Sequence, residues 1–168
     1  MRPILFTHDS AQKHQVPEGH PERPERMQAL SPILAERATK WHSETAPEAD
    51  HEQLQLVHPD SYLHWVYEQA ATVQDADKPV NLDPDTWIGP DSLTAARCGV
   101  GATCAGVDRL MTGKSARVFS AMRPPGHHAE PDKAMGFCLF SNAAIGAEYA
   151  RKTYGLTRVA VLDFDVHH

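Results

Sequence analysis

Apolar runs and amphipathic stretches alternate along the chain, which predicts strands that alternate with helices. A first strand is expected at 3–8, where the apolar run PILFTH stands near the N-terminus. Two more are expected at 116–124 and 157–165, both with near-continuous apolar residues. Strands buried on both faces are typical of parallel sheets that are covered by helices. The pattern therefore predicts an α/β protein built on a parallel sheet.

Four stretches have helical character. The segment 23–37 is entered through proline. Its apolar residues recur at helical spacing: Met27, Leu30, Ile33 and Leu34. Small residues dominate 92–111, which predicts a helix packed closely against its neighbours, although its glycines disfavour an unbroken helix. The other two predicted helices are 50–70, broken before Pro59, and 137–155, which has a glycine near its C-terminal end.

One long stretch, 75–91, is polar and rich in proline, and it is predicted to be a loop. Its length indicates a functional loop rather than a mere connector, because most connections in compact domains are shorter. No internal repeat or domain boundary is evident. The 168 residues, 41% of them hydrophobic, are ordinary for one globular domain.

The composition narrows the range of functions. A net charge of −6 and a sequence pI near 6.0, without a Lys/Arg run, argue against direct nucleic-acid binding. No stretch approaches the ~20 apolar residues of a membrane span, and no signal peptide is evident, so we expect a cytoplasmic protein without membrane contact. The three cysteines, Cys98, Cys104 and Cys138, lack CxxC spacing and are expected to be reduced.

The strand predicted at 157–165 runs into side chains that metal ions prefer. Asp163, Asp165 and His167 alternate along VLDFDVHH, so an extended backbone would put all three on one side. They follow the carboxyl end of a strand, where ligands bind in open parallel sheets. The pattern favours a site for a hard or borderline metal. The alternative is a polar strand end whose aspartates cap the next helix.

A second polar group follows the strand predicted at 116–124. In RPPGHHAE, two prolines and a glycine stiffen and then turn the backbone before His127 and His128. Two imidazoles aimed at one space could act as general acid and general base at neutral pH. On the residues alone, a pair of metal ligands or of ordinary turn histidines stays open.

These motifs together resemble a known enzyme family. GHPERPER, RPPGHHAE, GFCLFSNAAIGA and VLDFDVHH are similar, in this order and at similar intervals, to motifs of the zinc-dependent histone deacetylases, in the class II-like branch with the acetylpolyamine amidohydrolases. The resemblance extends from Gly19 to the end of the sequence. It implies a three-layer arginase/deacetylase-type α/β fold with a central parallel sheet. It also implies a substrate that is acetyl-lysine in a peptide or an acetylated polyamine or other small amine.

The resemblance assigns expected roles to five polar residues. Asp165 and His167 would be two ligands of a catalytic zinc ion. His127 and His128 would be the tandem acid/base pair, and Asp163 would orient His127. A monovalent cation, for instance K⁺, would bind through groups of Asp163, Asp165 and His167.

The resemblance also implies contacts with substrate and product. Phe137 would form one wall of a narrow channel for the acyl-lysine stem, and the Gly136 carbonyl would face the substrate amide. Asp85 matches the rim aspartate that accepts hydrogen bonds from the substrate backbone, although Asp83 lies two residues away. Arg26 resembles the buried arginine of the acetate-release channel, and the alternative is a surface arginine at a helix start.

The sequence departs from the family pattern after its last two histidines. Family members continue into a glycine-rich loop and later supply an aspartate as third zinc ligand and usually a tyrosine that polarises the substrate carbonyl. None follows His168, so we expect residues 1–168 to be the N-terminal part of a single deacetylase domain whose C-terminal part is absent from this chain. Alone, these residues are expected to be inactive and to need a completing C-terminal half or a second copy.

Two other functions stay open from the sequence. One is a binuclear manganese ureohydrolase on a related fold, which would use more carboxylates around its metals. The paired histidines on the rigid PPG turn speak against it. The other is a non-catalytic module that binds acyl-lysine or a protein partner.

Overall fold

Strands and helices alternate along most of the chain, as the hydrophobic pattern predicts. The computed structural model describes residues 1–36, 38–74 and 78–168. Within these residues the elements are, in chain order, β1 (Ile4–Thr7), α1 (Ser10–Lys13), α2 (Glu25–Glu36), β2 (His42–Thr45), α3 (His51–Leu54), α4 (Asp60–Thr72), β3 (Val80–Asp83), β4 (Thr86–Ile88), α5 (Ser92–Met111), β5 (Val118–Ser120) and α6 (Asn142–Tyr154).

A parallel sheet of three strands lies in the order β2-β1-β5. Its central strand pairs in parallel with both neighbours, so that Ile4 lies opposite His42 on one side and Val118 on the other. Strand β1 is apolar because both faces of the sheet are covered. Ile4 and Phe6 pack with residues of α5, whereas Leu5 packs on the opposite face with residues that include Met27 of α2. The predicted α/β architecture with a parallel sheet is confirmed.

The largest buried cluster joins α4, α5 and α6. It includes Leu63 of α4, Val100 of α5 and Ile145 of α6. Helix α5 also passes very close to the chain that follows β2, because a Cβ atom on Gly101 would collide with the backbone carbonyl of Pro47. The small residues of α5 therefore serve close packing. They do not break the helix, which is continuous over the whole predicted range.

The helix predicted at 23–37 is α2, and Arg37 lies outside the described residues. Met27 is buried, and Leu30 and Leu34 pack against the same cluster. Ile33 is 49% exposed, so its predicted place on the apolar face is wrong. The reason is geometric: at 3.6 residues per turn, Ile33 lies about 120° around the helix from Met27.

The predicted break before Pro59 is confirmed. Helix α3 ends at Leu54 and α4 begins at Asp60, with Pro59 as its N-cap. In the last predicted helix, only 142–154 are helical. Residues 137–141 precede it as turns and irregular chain.

The stretch predicted as a loop at 75–91 contains a hairpin, so that prediction is wrong in part; residues 75–77 lie outside the described residues. Strands β3 and β4 pair antiparallel around Pro84 and Asp85. The pattern hid the hairpin because each strand has only three or four residues, and polar residues interrupt the apolar ones. Strand β2, with the sequence HSET, was not predicted for the same reason.

Residues 157–165 do not form the predicted strand. Leu162 is 86% exposed and Phe164 is 91% exposed. Strands depend on hydrogen bonds to a neighbouring strand, and in the part of the chain that the structure describes no strand lies beside this segment. A cavity of about 770 Å³ lies between the segment and Ser120 at the end of β5. The apolar side chains of 157–165 are thus suited to burial, but the described residues leave several of them exposed.

The three cysteines are free and buried, as expected for reduced residues. Burial raises the pKa of the Cys104 thiol to about 12, so this side chain behaves as a small apolar residue. None of the helices in 1–36, 38–74 and 78–168 has the length and apolar composition needed to cross a membrane.

Candidate active site

Eight of the nine residues predicted to act at a site line one cavity. The cavity has a volume of about 580 Å³ and is bordered by five separate segments of the chain. The eight are Arg26, Asp85, His127, His128, Gly136, Phe137, Asp165 and His167. The ninth, Asp163, contacts His127 and lines the neighbouring cavity beside β5.

The first histidine of the pair is held by a carboxylate. Nδ1 of His127 lies 2.8 Å from Oδ2 of Asp163, and Oδ1 of Asp163 accepts a hydrogen bond from the backbone N–H of Asp165 at 3.0 Å. These two hydrogen bonds, that with His127 first, hold the pKa of the Asp163 carboxyl below its usual range. A partner on Nδ1 sets the tautomer of the imidazole and leaves Nε2 as the nitrogen available for chemistry.

The two adjacent imidazoles occupy the same space, as the turn in RPPGHHAE suggests. The ring centroids of His127 and His128 are 4.1 Å apart, and the ring planes are tilted by 43°. Both side chains line the cavity. Neighbouring imidazoles in one cavity can accept a proton from one group and donate a proton to another.

A tight turn places Phe137 on the cavity wall. Met135 and Cys138 exchange two backbone hydrogen bonds, of 3.2 and 2.9 Å, around Gly136 and Phe137. These two residues have φ angles of 56° and 70°, which are typical of a type I′ turn. A positive φ is unfavourable for a bulky residue, so surrounding contacts must hold Phe137 in this conformation. The Gly136 carbonyl, expected to face a substrate amide, accepts a hydrogen bond from the Cys138 thiol at 3.2 Å.

The contacts that hold this turn come from the hairpin β3–β4 and from the segment before α2. The N–H of Gly136 donates to Oδ1 of Asp85 at 3.1 Å, and the N–H of Phe137 donates to Oγ1 of Thr86 at 3.0 Å. The ring of His20 meets the ring of Phe137 edge to face, with centroids 4.7 Å apart. The position of this part of the cavity wall therefore depends on Asp85, Thr86 and His20.

The two candidate rim aspartates have different partners. Asp85 accepts the N–H of Gly136, whereas Oδ2 of Asp83 lies 3.4 Å from the Nζ atom of Lys133. The ammonium group of Lys133 thus neutralises Asp83. Of the two aspartates, Asp85 is the one joined by a hydrogen bond to the turn that carries Phe137.

The prediction that Arg26 is buried is wrong. Its side chain is 59% exposed, and its Nη1 lies 3.4 Å from Oε1 of Glu22. The buried guanidinium of this region belongs to Arg123, which donates to both carboxylate oxygens of Glu22 at 2.7 Å. Arg123 binds this carboxylate from the protein interior, so Arg26 contacts it from the solvent side.

The two predicted metal ligands lie in a turn rather than along a strand. The chain turns at 166–167, so the prediction that an extended backbone aligns Asp165 and His167 is wrong. The turn nevertheless brings Nδ1 of His167 within 3.8 Å of Oδ1 of Asp165, which also accepts the backbone N–H of His167 at 2.9 Å. Carboxylate oxygen and imidazole nitrogen are donors that zinc accepts, so these two side chains fit part of a zinc site. Across the described residues, no group of three or more His, Cys, Asp or Glu side chains is arranged to hold a metal ion.

Sequence reasoning missed the residues that support the site from behind. Glu22 and His20 stand inside GHPERPER, and Arg123 opens RPPGHHAE, so membership in a motif was the available signal. Their pairing carried no signal, because 101 residues separate Glu22 from Arg123. Thr86 follows Asp85 directly in the predicted loop 75–91, and this position beside a candidate rim residue was the available signal.

The chain is similar to proteins of known class. The family model described as histone deacetylase domain matches residues 20–168. The histone deacetylase-like amidohydrolase of Pseudomonas aeruginosa is 41% identical over 152 residues, which cover 89% of this chain and 39% of that protein. The polyamine deacetylase HDAC10 of Homo sapiens is 36% identical over 155 residues, which cover 90% of this chain and 23% of that protein.

A solved structure has the same architecture. The crystal structure of the HDA15 HD domain matches with a TM-score of 0.80 and 29% identity, and the match covers 89% of this chain and 44% of that chain. The chain therefore spans less than half the length of each of these three proteins. The deacetylase-type α/β fold expected from the motifs is confirmed, and the chain belongs to the histone deacetylase family.

Proposed function

We propose that this chain is the N-terminal part of a single zinc-dependent deacetylase domain. The whole protein would remove acetyl groups from acetyl-lysine or from acetylated polyamines and other small amines. The observation that carries the proposal is the convergence of His127, His128, Asp165 and His167 on one cavity, with Asp163 behind His127. The names of the relatives, an amidohydrolase and a polyamine deacetylase, support the same chemistry.

The substrate would enter as a linear acylated amine. Phe137 supplies an apolar wall along which an aliphatic stem can lie, and Asp85 stands at the rim, where its carboxylate could accept hydrogen bonds from the substrate backbone. Arg26 lines the same cavity and would attract the acetate product from the solvent side. A stem of this shape is common to acetyl-lysine and acetylpolyamines.

Asp165 and His167 would hold the zinc ion. When bound, zinc supplies a Lewis acid for the substrate carbonyl and lowers the pKa of a water molecule. A third protein ligand would come from outside residues 1–168, because a catalytic zinc site uses three protein ligands. We also propose a monovalent cation, K⁺ for instance, near Asp163, Asp165 and His167.

The imidazoles would move the protons. One accepts a proton from the attacking water, and the other donates a proton to the leaving amine. Asp163 keeps the Nδ1 atom of His127 occupied, so that Nε2 is the atom that exchanges the proton. General acid/base groups of this kind contribute about 10²- to 10⁴-fold in rate. Residues 1–168 alone would show no hydrolysis, since the remaining ligand and the group that polarises the carbonyl would be absent.

The partners of the carboxylates favour this reading over a binuclear manganese ureohydrolase. Of the described residues, Glu22, Asp83, Asp85 and Asp165 bring carboxylates to the cavity. Glu22 binds a guanidinium, Asp83 an ammonium group and Asp85 a backbone N–H. These three are engaged, and a pair of metal ions would need several unengaged carboxylates.

The test uses the full-length protein, assayed with an acetyl-lysine peptide and with an acetylated polyamine. His128→Ala should lower turnover by about 10²-fold or more while the zinc content stays at wild-type level. His51→Ala is the matched control, because His51 pairs with Asp60 at 2.8 Å on the protein surface. A hydroxamate should inhibit the wild type. Wild-type turnover by His128→Ala would refute the proposed role, and binding without turnover by the wild type would favour the non-catalytic module.

We propose a cytoplasmic protein that acts on its substrate without direct contact with nucleic acid or membrane. Either a completing C-terminal half or a second copy would cover the exposed segment near Phe164. The sequence that follows His168 in the gene decides between these two.

A further inference from the structure

A buried ion pair lies directly beneath the candidate site. Glu22 is 1% exposed and Arg123 is 2% exposed. Nε and Nη2 of Arg123 donate to Oε1 and Oε2 of Glu22, both at 2.7 Å, in the two-pronged geometry that makes guanidinium and carboxylate a specific pair. Neither side chain has a place in the proton transfers proposed above.

The remaining donors of Arg123 reach a third segment. Its Nη1 donates to the backbone carbonyl groups of Ala11 at 2.7 Å and of His14 at 2.9 Å. A single guanidinium therefore joins the chain around α1, the segment that carries Glu22, and its own segment. The last of these continues as Pro124, Pro125 and Gly126 into His127 and His128.

A chain of hydrogen bonds extends this network to the hairpin β3–β4. The N–H of Gly89 donates to Oγ of Ser92 at 2.7 Å, and Oγ of Ser92 lies 2.6 Å from Nδ1 of His14. Nε2 of His14 lies 3.4 Å from Oε2 of Glu22. One assignment of the protons gives each of these contacts a donor and an acceptor. The hydroxyl of Ser92 donates to Nδ1 of a neutral His14, and the Nε2–H of His14 points to Glu22.

Burial and mutual contacts shift the pKa of two groups in this network, Glu22 and His14. Burial raises the pKa of the Glu22 carboxyl, but contacts with His14 and Arg123 outweigh burial and bring the pKa to about 2. Burial lowers the pKa of His14, which agrees with a neutral ring. One carboxylate and one guanidinium thus remain charged in the interior. Such pairs add little net stability compared with apolar packing, so their value lies in the geometry that they impose.

We propose that Glu22 is a positioning residue for the tandem histidines. Glu22 holds the guanidinium of Arg123, and the two prolines that follow restrict the backbone between Arg123 and the imidazoles. The network therefore sets where His127 stands relative to Asp163, and where both rings stand relative to Asp165 and His167. The expected effect on kcat rests on the proposed function. The expected effect on the position of the imidazoles rests on the structure alone.

The test compares Glu22→Gln with Glu44→Gln in the full-length protein. Both substitutions keep the shape of the side chain and remove the charge of a carboxylate that an arginine binds through Nε and Nη2. Arg109 binds Glu44 through Nε at 3.1 Å and Nη2 at 2.8 Å, and neither residue is among the described residues that line the candidate cavity. Two quantities are measured well below the unfolding temperature: kcat and KM for the acetylated substrate, and the imidazole ¹⁵N–¹H signals of His127, assigned with His127→Gln.

Glu22→Gln should lower kcat by about 10- to 100-fold and leave KM within about two-fold, because a displaced catalytic group costs rate rather than ground-state binding. It should also shift the His127 signals, whereas Glu44→Gln should change neither quantity. Glu22→Asp, which keeps the charge, should recover part of the loss. If Glu22→Gln does not fold, Arg123→Lys takes its place with the same expectations.

Wild-type kcat together with unchanged His127 signals in Glu22→Gln would overturn the inference. Equal losses in Glu22→Gln and Glu44→Gln would also overturn it, since they would indicate a general effect on stability. If the wild type fails to hydrolyse any acetylated substrate, the proposed function fails instead. The His127 signals still decide whether Glu22 positions the histidines.

Discussion

The imidazole of His127 and the carboxylate of Asp163 lie 2.8 Å apart although 36 residues separate them along the chain. The contact links the loop after β5 to the exposed segment that carries the proposed metal ligands. It is a direct connection between the two adjacent histidines and that segment.

Asp163→Asn should lower kcat of the full-length enzyme by about 10²-fold, because an amide no longer favours the imidazole form that has its proton on Nδ1. Steady-state kinetics with an acetyl-lysine peptide would measure this loss. Asp60→Asn, which alters the surface pair of Asp60 with His51, is the control and should be silent. Full activity in Asp163→Asn would show that the contact does not orient His127.

Asp165→Ala and His167→Ala should each lower zinc affinity by roughly ten-fold or more, on the scale of changes to the ligands and their partners. Competition with a chromophoric chelator gives the affinity without an activity assay. Because Asp165 also accepts the backbone N–H of His167, its substitution should have the larger effect. Full stoichiometric zinc in both variants would refute the assignment of these ligands.

Gly136→Ala should destabilise the protein and lower its activity. A Cβ atom at this position would lie 2.5 Å from Cδ2 of His128, and the φ angle of 56° is itself unfavourable for alanine. Gly113→Ala is the matched control, since Gly113 has a φ of 70° but an open environment. The control should lose about 1 kcal/mol in free energy of unfolding by denaturant titration, and Gly136→Ala should lose clearly more. Equal losses would mean that His128 moves aside freely.

The free energy of unfolding should fall as the pH drops below about 6.5. Burial lowers the pKa of His58, although its hydrogen bond to the carbonyl of Pro131 partly offsets this effect. The neutral ring fits its site, because Nδ1 lies 2.8 Å from that carbonyl and Nε2 accepts the N–H of Ser141 at 3.0 Å. Below the pKa of the unfolded state the unfolded chain binds more protons, so stability decreases until the folded pKa is reached.

One such group contributes at most about 1.4 kcal/mol per pH unit. Chemical denaturation at several pH values between 5 and 7.5 would measure the slope, with ~0.1 M salt to screen surface charges. His58→Gln should be less stable at pH 7.5 and should show a shallower slope. Equal slopes in the wild type and in His58→Gln would contradict the assignment.

Residues 1–168 expressed alone should associate in solution. Leu162 and Phe164 lie in an exposed apolar segment, and exposed apolar patches promote association. Replacing both residues by serine should restore a monomer in analytical ultracentrifugation. Ile33→Ser, on the exposed side of α2, is the control and should leave association unchanged. A monomeric wild-type fragment would contradict the prediction.

The elements that the sequence predicts well are those whose apolar or small residues pack against neighbouring elements. The apolar strand β1 and the small-residue helix α5 are examples, since both pack against other described elements of the chain. Residues 157–165 have the same apolar pattern but no strand beside them in the described part of the chain. Apolarity indicates that a segment can be buried, whereas the strand itself requires a partner.

The residues of the candidate site also fall into those that the sequence could predict and those that it could not. His127, His128, Asp165 and His167 could be predicted because each stands in a motif whose residue types suggest chemistry. The grip of Arg123 on Glu22 could not, because pairing across the fold leaves no trace in spacing. The exposure of Arg26 follows from that grip, so one unpredictable contact also explains one wrong prediction.

The close approach of α5 to the carbonyl of Pro47 limits how this protein could be engineered. Replacing helical glycines by alanine is a common way to raise thermal stability, because it reduces the entropy of the unfolded chain. At Gly101 the added methyl group would push the helix away from the chain that follows β2. A library designed for heat resistance should therefore leave Gly101 unchanged and look for gains on the solvent-facing side of α2.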